Sequence, residues 1–256
     1  MEFIDTHAHL YLNQFESDIE AVIQAARNNH VSKVLLPNID SGSIDGLLRL
    51  KTKFPDYFEV MMGVHPCSID DNYQKELKIA EAQFLGQGFV GVGEIGLDYY
   101  WDTKYKAEQI KAFRTQINWA KDLKLPIAVH CREAFEDILE IIDEEQDGRL
   151  RGVLHCFTGN VDQAKQLIDN GFLLGVGGVI TYRNSGLDKT ITEIDLNHLV
   201  LETDAPYLSP VPYRGKRNQS AYLMYIAEKL AEVKDCALTE LAMLTTANAK
   251  ALFNLQ

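Results

Sequence analysis

Short apolar runs alternate with longer amphipathic segments along the whole chain. Eight runs rich in aliphatic and β-branched residues predict strands, and segments such as FESDIEAVIQAARNN and KAEQIKAFRTQINWAKDLK between them have helical periodicity. The predicted strands begin near Phe3, Lys33, Phe58, Phe89, Pro126, Gly152, Phe172 and His198. This alternation is typical of repeated βα units on a parallel sheet, and eight units predict closure into a single (β/α)8 TIM barrel, an α/β fold.

Proline or glycine follows several of the predicted strands, as in VLLPN, VHP, GEIG, FTGN and DAP, so we expect each strand to give way to a loop on one rim. After the eighth strand, AYLMYIAEKLAEVK and LTELAMLTTANAKALF predict two additional C-terminal helices packed outside the barrel. Because no low-complexity segment or Pro-rich linker divides the chain, residues 1–256 are expected to form one domain.

Composition narrows the class of protein. Hydrophobic residues make up 46% and charged residues 24% of the 256 residues, which is typical of a globular protein. The net charge of −12 argues against a protein that coats nucleic acid nonspecifically, although an enzyme that neutralises phosphate with bound metal needs only a local basic patch.

Targeting and redox signals point to the cytoplasm. MEFIDTHAHL has neither the basic stretch nor the apolar run of a secretion signal, and no segment reaches the ~20 apolar residues of a membrane span. A cytoplasmic protein without membrane association is therefore expected. The four cysteines include no CxxC pair and are expected to be reduced: Cys67, Cys131, Cys156 and Cys236.

Metal-binding residue types stand at the ends of several predicted strands. His7 and His9 form an HxH pair in the first strand, where alternation places both on one face, about 7 Å apart at the backbone. An isolated HxH pair is a weak signal. Glu94 in VGVGEIGLDYY, His130 in IAVHCR and His155 in GVLHCFTG add three more at the strand ends where (β/α)8 enzymes place their chemistry.

Asp204 in LVLETDAPYL ends the eighth strand, which lies beside the first in a closed barrel, so its carboxylate should approach His7 and His9. Glu94 and Asp204 add the negative charge needed to hold two divalent ions, with a carboxylate bridging them. Acidic and imidazole ligands suit Mg, Mn or Zn alike. Both carboxylates are candidate catalytic residues, with Asp204 orienting or deprotonating the attacking water.

Other residues are candidates for supporting roles. By alternation Asp5 shares the face of His7, and Glu202 shares that of Asp204. Asp5 and Glu202 are therefore candidate hydrogen-bond acceptors that orient imidazoles, although a buried acid paired with a core polar group is an equally good interpretation.

Several residues are candidates for substrate binding. His65 in GVHP ends the third strand apart from the ligand set, so a substrate phosphate is its expected target. Arg132, two residues after His130 on the same face, could bind a phosphate with its guanidinium or form a salt bridge at a helix start.

Three basic residues cluster in the loop after the eighth strand: Arg214, Lys216 and Arg217. They could bind nucleic acid that passes over this rim, or they could simply be solvated loop residues. Five aromatic residues near the motifs could stack on bases or pack at the rim: Tyr99, Tyr100, Trp101, Phe157 and Tyr207.

The motifs IDTHAHL, GVHP, GVGEIGLDYY, VHCR, LHCFTG and LETDAPYL, in this order over nearly the whole chain, resemble those of the TatD family of metal-dependent deoxyribonucleases. The resemblance implies a barrel of the amidohydrolase-like superfamily with Glu94 shared between two ions. It assigns His7, His9 and Asp204 to one ion and His130 and His155 to the other. It also implies cleavage of DNA phosphodiester bonds with Mg as the expected ion and Mn, Zn or Co as alternatives. We expect single-stranded or frayed ends as the substrate and a monomeric enzyme. The loop GKRNQSAYL departs from the family at Gln219 and Ser220, where an acid and a proline are usual, which puts binding on that rim in doubt.

Two alternatives stay open. The same site could hydrolyse an amide or ester bond in a small molecule, or an aminoacyl ester on transfer RNA. Many amidohydrolases use a modified lysine on the fourth strand, where this chain has Glu94. A noncatalytic scaffold is the other alternative, and the intact ligand set argues against it.

Overall fold

The computed structural model describes residues 1–86 and 88–256, and within these ranges eight parallel strands form one sheet in chain order. The strands are β1 (Phe3–Asp5), β2 (Val31–Pro37), β3 (Phe58–Met62), β4 (Gly91–Asp98), β5 (Ile127–Arg132), β6 (Gly152–Leu154), β7 (Phe172–Val176) and β8 (Leu199–Leu201). The helices described are α1 (Ile19–Asn28), α2 (Ile44–Lys53), α3 (Tyr73–Gln83), α4 (Lys106–Leu123), α5 (Phe135–Glu145), α6 (Val161–Asp169), α7 (Leu187–Thr192), α8 (Leu223–Val233) and α9 (Leu238–Phe253).

The predicted (β/α)8 barrel is confirmed, and each strand begins within two residues of its predicted start. The apolar runs reflect burial on both faces, since helices cover the outside of a parallel sheet. In β4 every residue is buried. Capping interactions in the loops help to start the helices. At the start of α6, Asn160 and Gln163 form a capping box, in which each side chain accepts a hydrogen bond of 2.9 Å from the main-chain N of the other residue.

The barrel closes through main-chain bonds beyond the ends of β1 and β8. The first strand was predicted to include the HxH pair, but β1 ends at Asp5. The following extended residues bond instead to the segment after β8: His9 N donates to Ala205 O at 2.7 Å, and Asp204 N donates to His7 O at 2.8 Å. This exchange replaces a regular ladder and holds the HxH pair beside Asp204.

The two C-terminal helices have different roles. Helix α8 packs in the outer layer, as predicted for both. Helix α9 instead brings Leu252 and Phe253 against barrel residues such as Ile4 and Leu35, so it closes the amino-terminal end of the barrel. The opposite end, where the strands give way to the loops that carry the candidate ligands, is left open. In the part of the chain that the structure describes, no helix combines the length and apolar character required to cross a membrane.

Candidate metal centre

Glycines in β4 allow Glu94 to approach the neighbouring strand. A Cβ on Gly93 would lie 2.8 Å from Cβ of Ala128, and a Cβ on Gly96, whose φ is +136°, would collide with the main-chain oxygen of His130. Only glycine tolerates both this φ and this approach. The GVGEIG sequence thus sets the side chain of Glu94, 2% exposed, next to His130.

The two carboxylate oxygens of Glu94 face two separate groups of imidazoles. Oε2 lies 3.1 Å from Nε2 of His7 and 3.3 Å from Nε2 of His9. Oε1 lies 2.9 Å from Nδ1 of His130 and 2.9 Å from Nε2 of His155. Glu94 therefore sits between two ligand sets, one from the β1 side and one from β5 and β6.

Asp204 completes the first set, as expected from the adjacency of the first and eighth strands. Its Oδ1 is 3.6 Å from Nε2 of His9 and 4.0 Å from Nε2 of His7. Burial raises the pKa of the Asp204 carboxyl to about 6. Asp204 has a left-handed backbone with a φ of +56°, which turns its side chain toward the histidines.

The spacing of these atoms fits shared divalent ions. Ligand atoms about 2.1 Å from one ion are about 3.0 to 3.4 Å apart in octahedral or tetrahedral geometry. The Nε2 atoms of His7 and His9 are 3.3 Å apart, close to that value. Imidazole nitrogens and carboxylate oxygens form a donor set that suits Zn and Mn, and Mg where carboxylates dominate. The side chains therefore fit the metal that the motifs imply.

Charge at the centre favours cations. Burial opposes ionisation of Glu94, but the surrounding imidazoles, His65 and His155 foremost, outweigh it and hold the Glu94 pKa well below its ordinary value. Burial lowers the pKa of His7 well below its usual range, which keeps that imidazole neutral. Against the effect of burial, Glu94 and Glu202 raise the pKa of His155 well above its ordinary value, and Asp98 and Glu94 raise that of His130, so these two imidazoles would have to release a proton to bind a divalent ion.

Two residues that the sequence interpretation missed support the histidines from outside. Asp98 Oδ2 lies 2.9 Å from Nε2 of His130. The hydroxyl of Tyr11 lies 2.8 Å from Nδ1 of His9 and donates to the main-chain oxygen of Pro37 at 2.6 Å. Both could have been found from alternation, since Asp98 is four residues after Glu94 on β4 and Tyr11 continues the spacing of the HxH pair.

Asp5 and Glu202 are both buried beside the site, in different ways. Asp5 accepts hydrogen bonds from the main chain and hydroxyl of Thr203, at 2.9 and 2.6 Å, and contacts the main-chain N of His7 at 3.4 Å. Asp5 thus holds the backbone and not the imidazole, and its burial raises its pKa to about 7. Glu202 Oε1 faces Nδ1 of His155 at 3.5 Å, where an orienting acceptor was expected.

His65 lies among the candidate ligands, whereas the sequence placed it apart from them. Its Nε2 is 3.3 Å from Oε1 of Glu94 and 3.3 Å from Nδ1 of His130. The reason is topological, because β3 pairs with β4 and the loop after β3 opens onto the same rim. His65 also starts the short 3-10 helix Pro66–Ser68.

A cleft of about 770 Å³ opens above the centre. Arg132 and Trp101 line it, and the Arg132 guanidinium lies 3.6 Å from the ring centroid of Tyr100 and 5.3 Å from that of Trp101. Among the described side chains Arg132 forms no salt bridge, so the helix-start ion pair considered from the sequence is not present. Trp101 is 72% exposed, and Tyr207, which also lines the cleft, is 48% exposed.

The basic residues after β8 do not form one patch. Arg214 lies over the ring of Tyr182 at 4.4 Å, and Lys216 lies near the ring of Tyr213 at 5.8 Å. Both stay available at the rim, and their contact with substrate stays a prediction.

Arg217 is held in a structural pair. Its guanidinium donates to both carboxylate oxygens of Asp18, at 2.9 and 2.6 Å. The following residues are fixed as well, since Gln219 N donates to Oδ1 of Asn218 at 2.9 Å and Ser220 is fully buried. Asn218 through Ser220 thus anchor the loop, and substrate binding by Arg217 would require it to leave Asp18.

Comparisons with known proteins agree with the motifs. The family described as TatD related DNase matches the chain over residues 4–254. The metal-dependent hydrolase YabD of Bacillus subtilis is 37% identical over 252 residues, covering 98% of each chain. The 3'-5' ssDNA/RNA exonuclease TatD of Erwinia tasmaniensis is 32% identical over 257 residues, covering 98% of this chain and 99% of that protein. The crystal structure of YJJV, a TatD homologue from Escherichia coli K12, superposes with a TM-score of 0.93 at 29% identity, covering 99% of this chain and 98% of that one.

Proposed function

We propose that the chain cleaves phosphodiester bonds of DNA at a centre of two divalent ions, with Glu94 shared between them. The premise is that the chain belongs to the TatD related DNase family of metal-dependent hydrolases. The observation that carries the proposal is the placement of the two Glu94 oxygens, each against its own group of imidazoles. The exonuclease name of the Erwinia relative supports a nucleic-acid substrate.

In this proposal the ligands divide between the ions as the motifs imply. His7, His9 and Asp204 would hold one ion with Glu94 Oε2. His130 and His155 would hold the other with Oε1. Two such ions, when bound, polarise a phosphoryl oxygen, supply hydroxide near neutral pH and stabilise the leaving oxygen.

The chain's own side chains then orient the reactants. In this proposal the Asp204 carboxylate aligns the attacking water and accepts its proton, which its position beside His7 and His9 supports. In this proposal the guanidinium of Arg132, which lines the cleft and forms no salt bridge among the described side chains, binds a phosphate oxygen of the substrate. Its stacking on Tyr100 keeps it there.

The cleft favours an unpaired strand. The exposed rings of Trp101 and Tyr207 both line the cleft and offer faces on which bases can stack. A base that remains paired within a duplex cannot present its faces in this way. We therefore propose single-stranded DNA or frayed ends as the substrate, with Mg as the expected ion and Mn, Zn or Co as alternatives.

The test is a metal-resolved assay on end-labelled single-stranded DNA, blunt duplex DNA and an aminoacyl ester. Protein stripped with EDTA and reloaded with Mg, Mn, Co or Zn should shorten the single strand faster than the duplex. Hydrolysis of the ester alone would instead favour an amidohydrolase-like activity. Confirmed metal binding without turnover of any of the three substrates would refute the proposal and favour a scaffold.

A further inference from the structure

We infer that His65 donates a hydrogen bond to the substrate's phosphoryl oxygen and does not bind metal, an inference that rests on the proposed phosphodiester hydrolysis. Distance alone would make His65 a third imidazole ligand beside His130 and His155, because its Nε2 is 3.3 Å from Oε1 of Glu94, the oxygen that those two rings also contact. The hydrogen-bond partner on the other side of the ring indicates the opposite.

The ring of His65 is fixed by the backbone beyond it. The main-chain N–H of Cys67 donates to Nδ1 of His65 at 3.0 Å, which caps the 3-10 helix that follows. A backbone N–H can only donate, so Nδ1 must present a lone pair. A neutral imidazole carries its one hydrogen on the other nitrogen. The Nε2 of His65 that points into the centre is therefore an N–H, whereas a metal ligand needs a lone pair there.

Two of the candidate ligands have the reverse arrangement. Tyr11 donates its own hydrogen to a main-chain carbonyl, so its oxygen accepts from Nδ1 of His9, and the lone pair of His9 faces the centre. His130 lies between two carboxylates, with Nε2 2.9 Å from Oδ2 of Asp98 and Nδ1 2.9 Å from Oε1 of Glu94, so both of its nitrogens donate. Asp98 holds the hydrogen on the outward Nε2, so Nδ1 is the nitrogen that would give up its hydrogen to an ion. A hydrogen-bond acceptor on the outer side of an imidazole holds the hydrogen on the outer nitrogen, so the inner nitrogen can bind metal. The donor on the outer side of His65 has the opposite effect and leaves the hydrogen on the inner Nε2.

The position suits a charged oxygen of the substrate. His65 lines the same cleft as Arg132, on the wall formed by the loop after β3. An imidazole that binds an ion would direct a lone pair at it and would have no hydrogen on that nitrogen for the substrate. Negative charge develops on phosphoryl oxygens during transfer, and a preorganised N–H aimed at such an oxygen contributes about 10² to 10³ in rate. His65 supplies that donor.

The variant His65→Asn separates the two roles. Asparagine is a good helix cap and keeps an oxygen that can accept from Cys67 N, but it is too short to place a donor in the centre. We expect calorimetric titration with Mn²⁺ to give the same number of ions as the wild type and affinities within about threefold, while kcat on single-stranded DNA falls about 10² to 10³-fold. The matched variant His130→Asn should lose at least about tenfold in affinity at one ion.

A second measurement uses the unmodified protein. Long-range ¹H–¹⁵N spectra of the histidine side chains, recorded with Mg²⁺ bound, should show the hydrogen of His65 on Nε2. A hydrogen on Nδ1, loss of one ion in His65→Asn, or an unchanged kcat in that variant would overturn the inference. If wild-type protein cleaved no phosphodiester, the proposed function would fail, while the titration and the spectra would still decide whether His65 binds metal.

Discussion

Replacing Asp98 with asparagine tests whether the groups outside the ligands control the centre. Asp98 Oδ2 accepts the hydrogen on Nε2 of His130 at 2.9 Å, and its Oδ1 accepts from Tyr100 N at 3.0 Å. Its main-chain N and O bond to the side chain of Gln109, so the backbone should stay in place after the change. An asparagine that keeps the Tyr100 bond through its oxygen turns its NH2 toward His130. The imidazole must then present a lone pair outward and a hydrogen to the ion.

The magnitude follows from that loss. Removing an outer carboxylate from a metal-bound histidine costs about 10 to 100-fold in affinity, which is about 1.4 to 2.7 kcal/mol. Because His130 lies on the Oε1 side of Glu94, one ion should weaken by that factor and the other should change little.

Calorimetric titration with Mn²⁺ measures both affinities. Asp102→Asn is the matched control, since Asp102 is exposed on the following loop and undergoes the same change in charge. Equal affinities in Asp98→Asn, Asp102→Asn and the wild type would refute the reasoning. Equal weakening of both ions would show that Asp98 acts through net charge and not through the His130 ring.

Three further outcomes are expected. Trp101→Ala should raise KM for a single strand that carries bases about 5 to 150-fold, the equivalent of about 1 to 3 kcal/mol of stacking. KM for an abasic strand should stay unchanged, and equal effects on both strands would contradict stacking. Phe253→Ala should lower the free energy of unfolding in urea by about 3 to 5 kcal/mol, because the ring is 2% exposed under the barrel, without reducing the number of ions bound. Mn²⁺ at 100 times the Kd of both sites should stabilise the protein by about 2.7 kcal/mol per ion, or about 5.4 kcal/mol for two, raising Tm by about 11 to 22 °C, and EDTA should reverse the shift. An unchanged Tm would contradict binding to the folded state.

The sequence predicts the barrel well because its strands are buried on both faces and are bounded by turn residues. The sequence predicts less well where the C-terminal helix packs. The pattern of α9 marks an apolar helix, but nothing in the pattern says that Leu252 and Phe253 close the amino-terminal end of the barrel. That placement depends on the space left between the lower ends of the strands, which only the assembled sheet defines.

The residues of the candidate site were also predicted only in part. Residue types at strand ends sufficed to propose Glu94 and Asp204, because a closed parallel barrel brings all strand ends to one rim. The proximity of His65 to Glu94 was missed because the reach of the loop after β3 cannot be inferred from spacing. Nor does the charge of Arg217 reveal its pairing with Asp18, since that ion pair joins segments almost two hundred residues apart.

The central claim, that one carboxylate serves two ions, is tested most directly by counting the metal bound to Glu94→Gln. Protein loaded with Mn²⁺ and freed of excess metal by gel filtration can be analysed by elemental mass spectrometry, with Glu136→Gln as a control of equal charge on the exposed face of α5. We expect two ions per chain in the wild type and in Glu136→Gln, and fewer than two in Glu94→Gln. Two ions retained in Glu94→Gln, or only one in the wild type, would contradict a bridged pair.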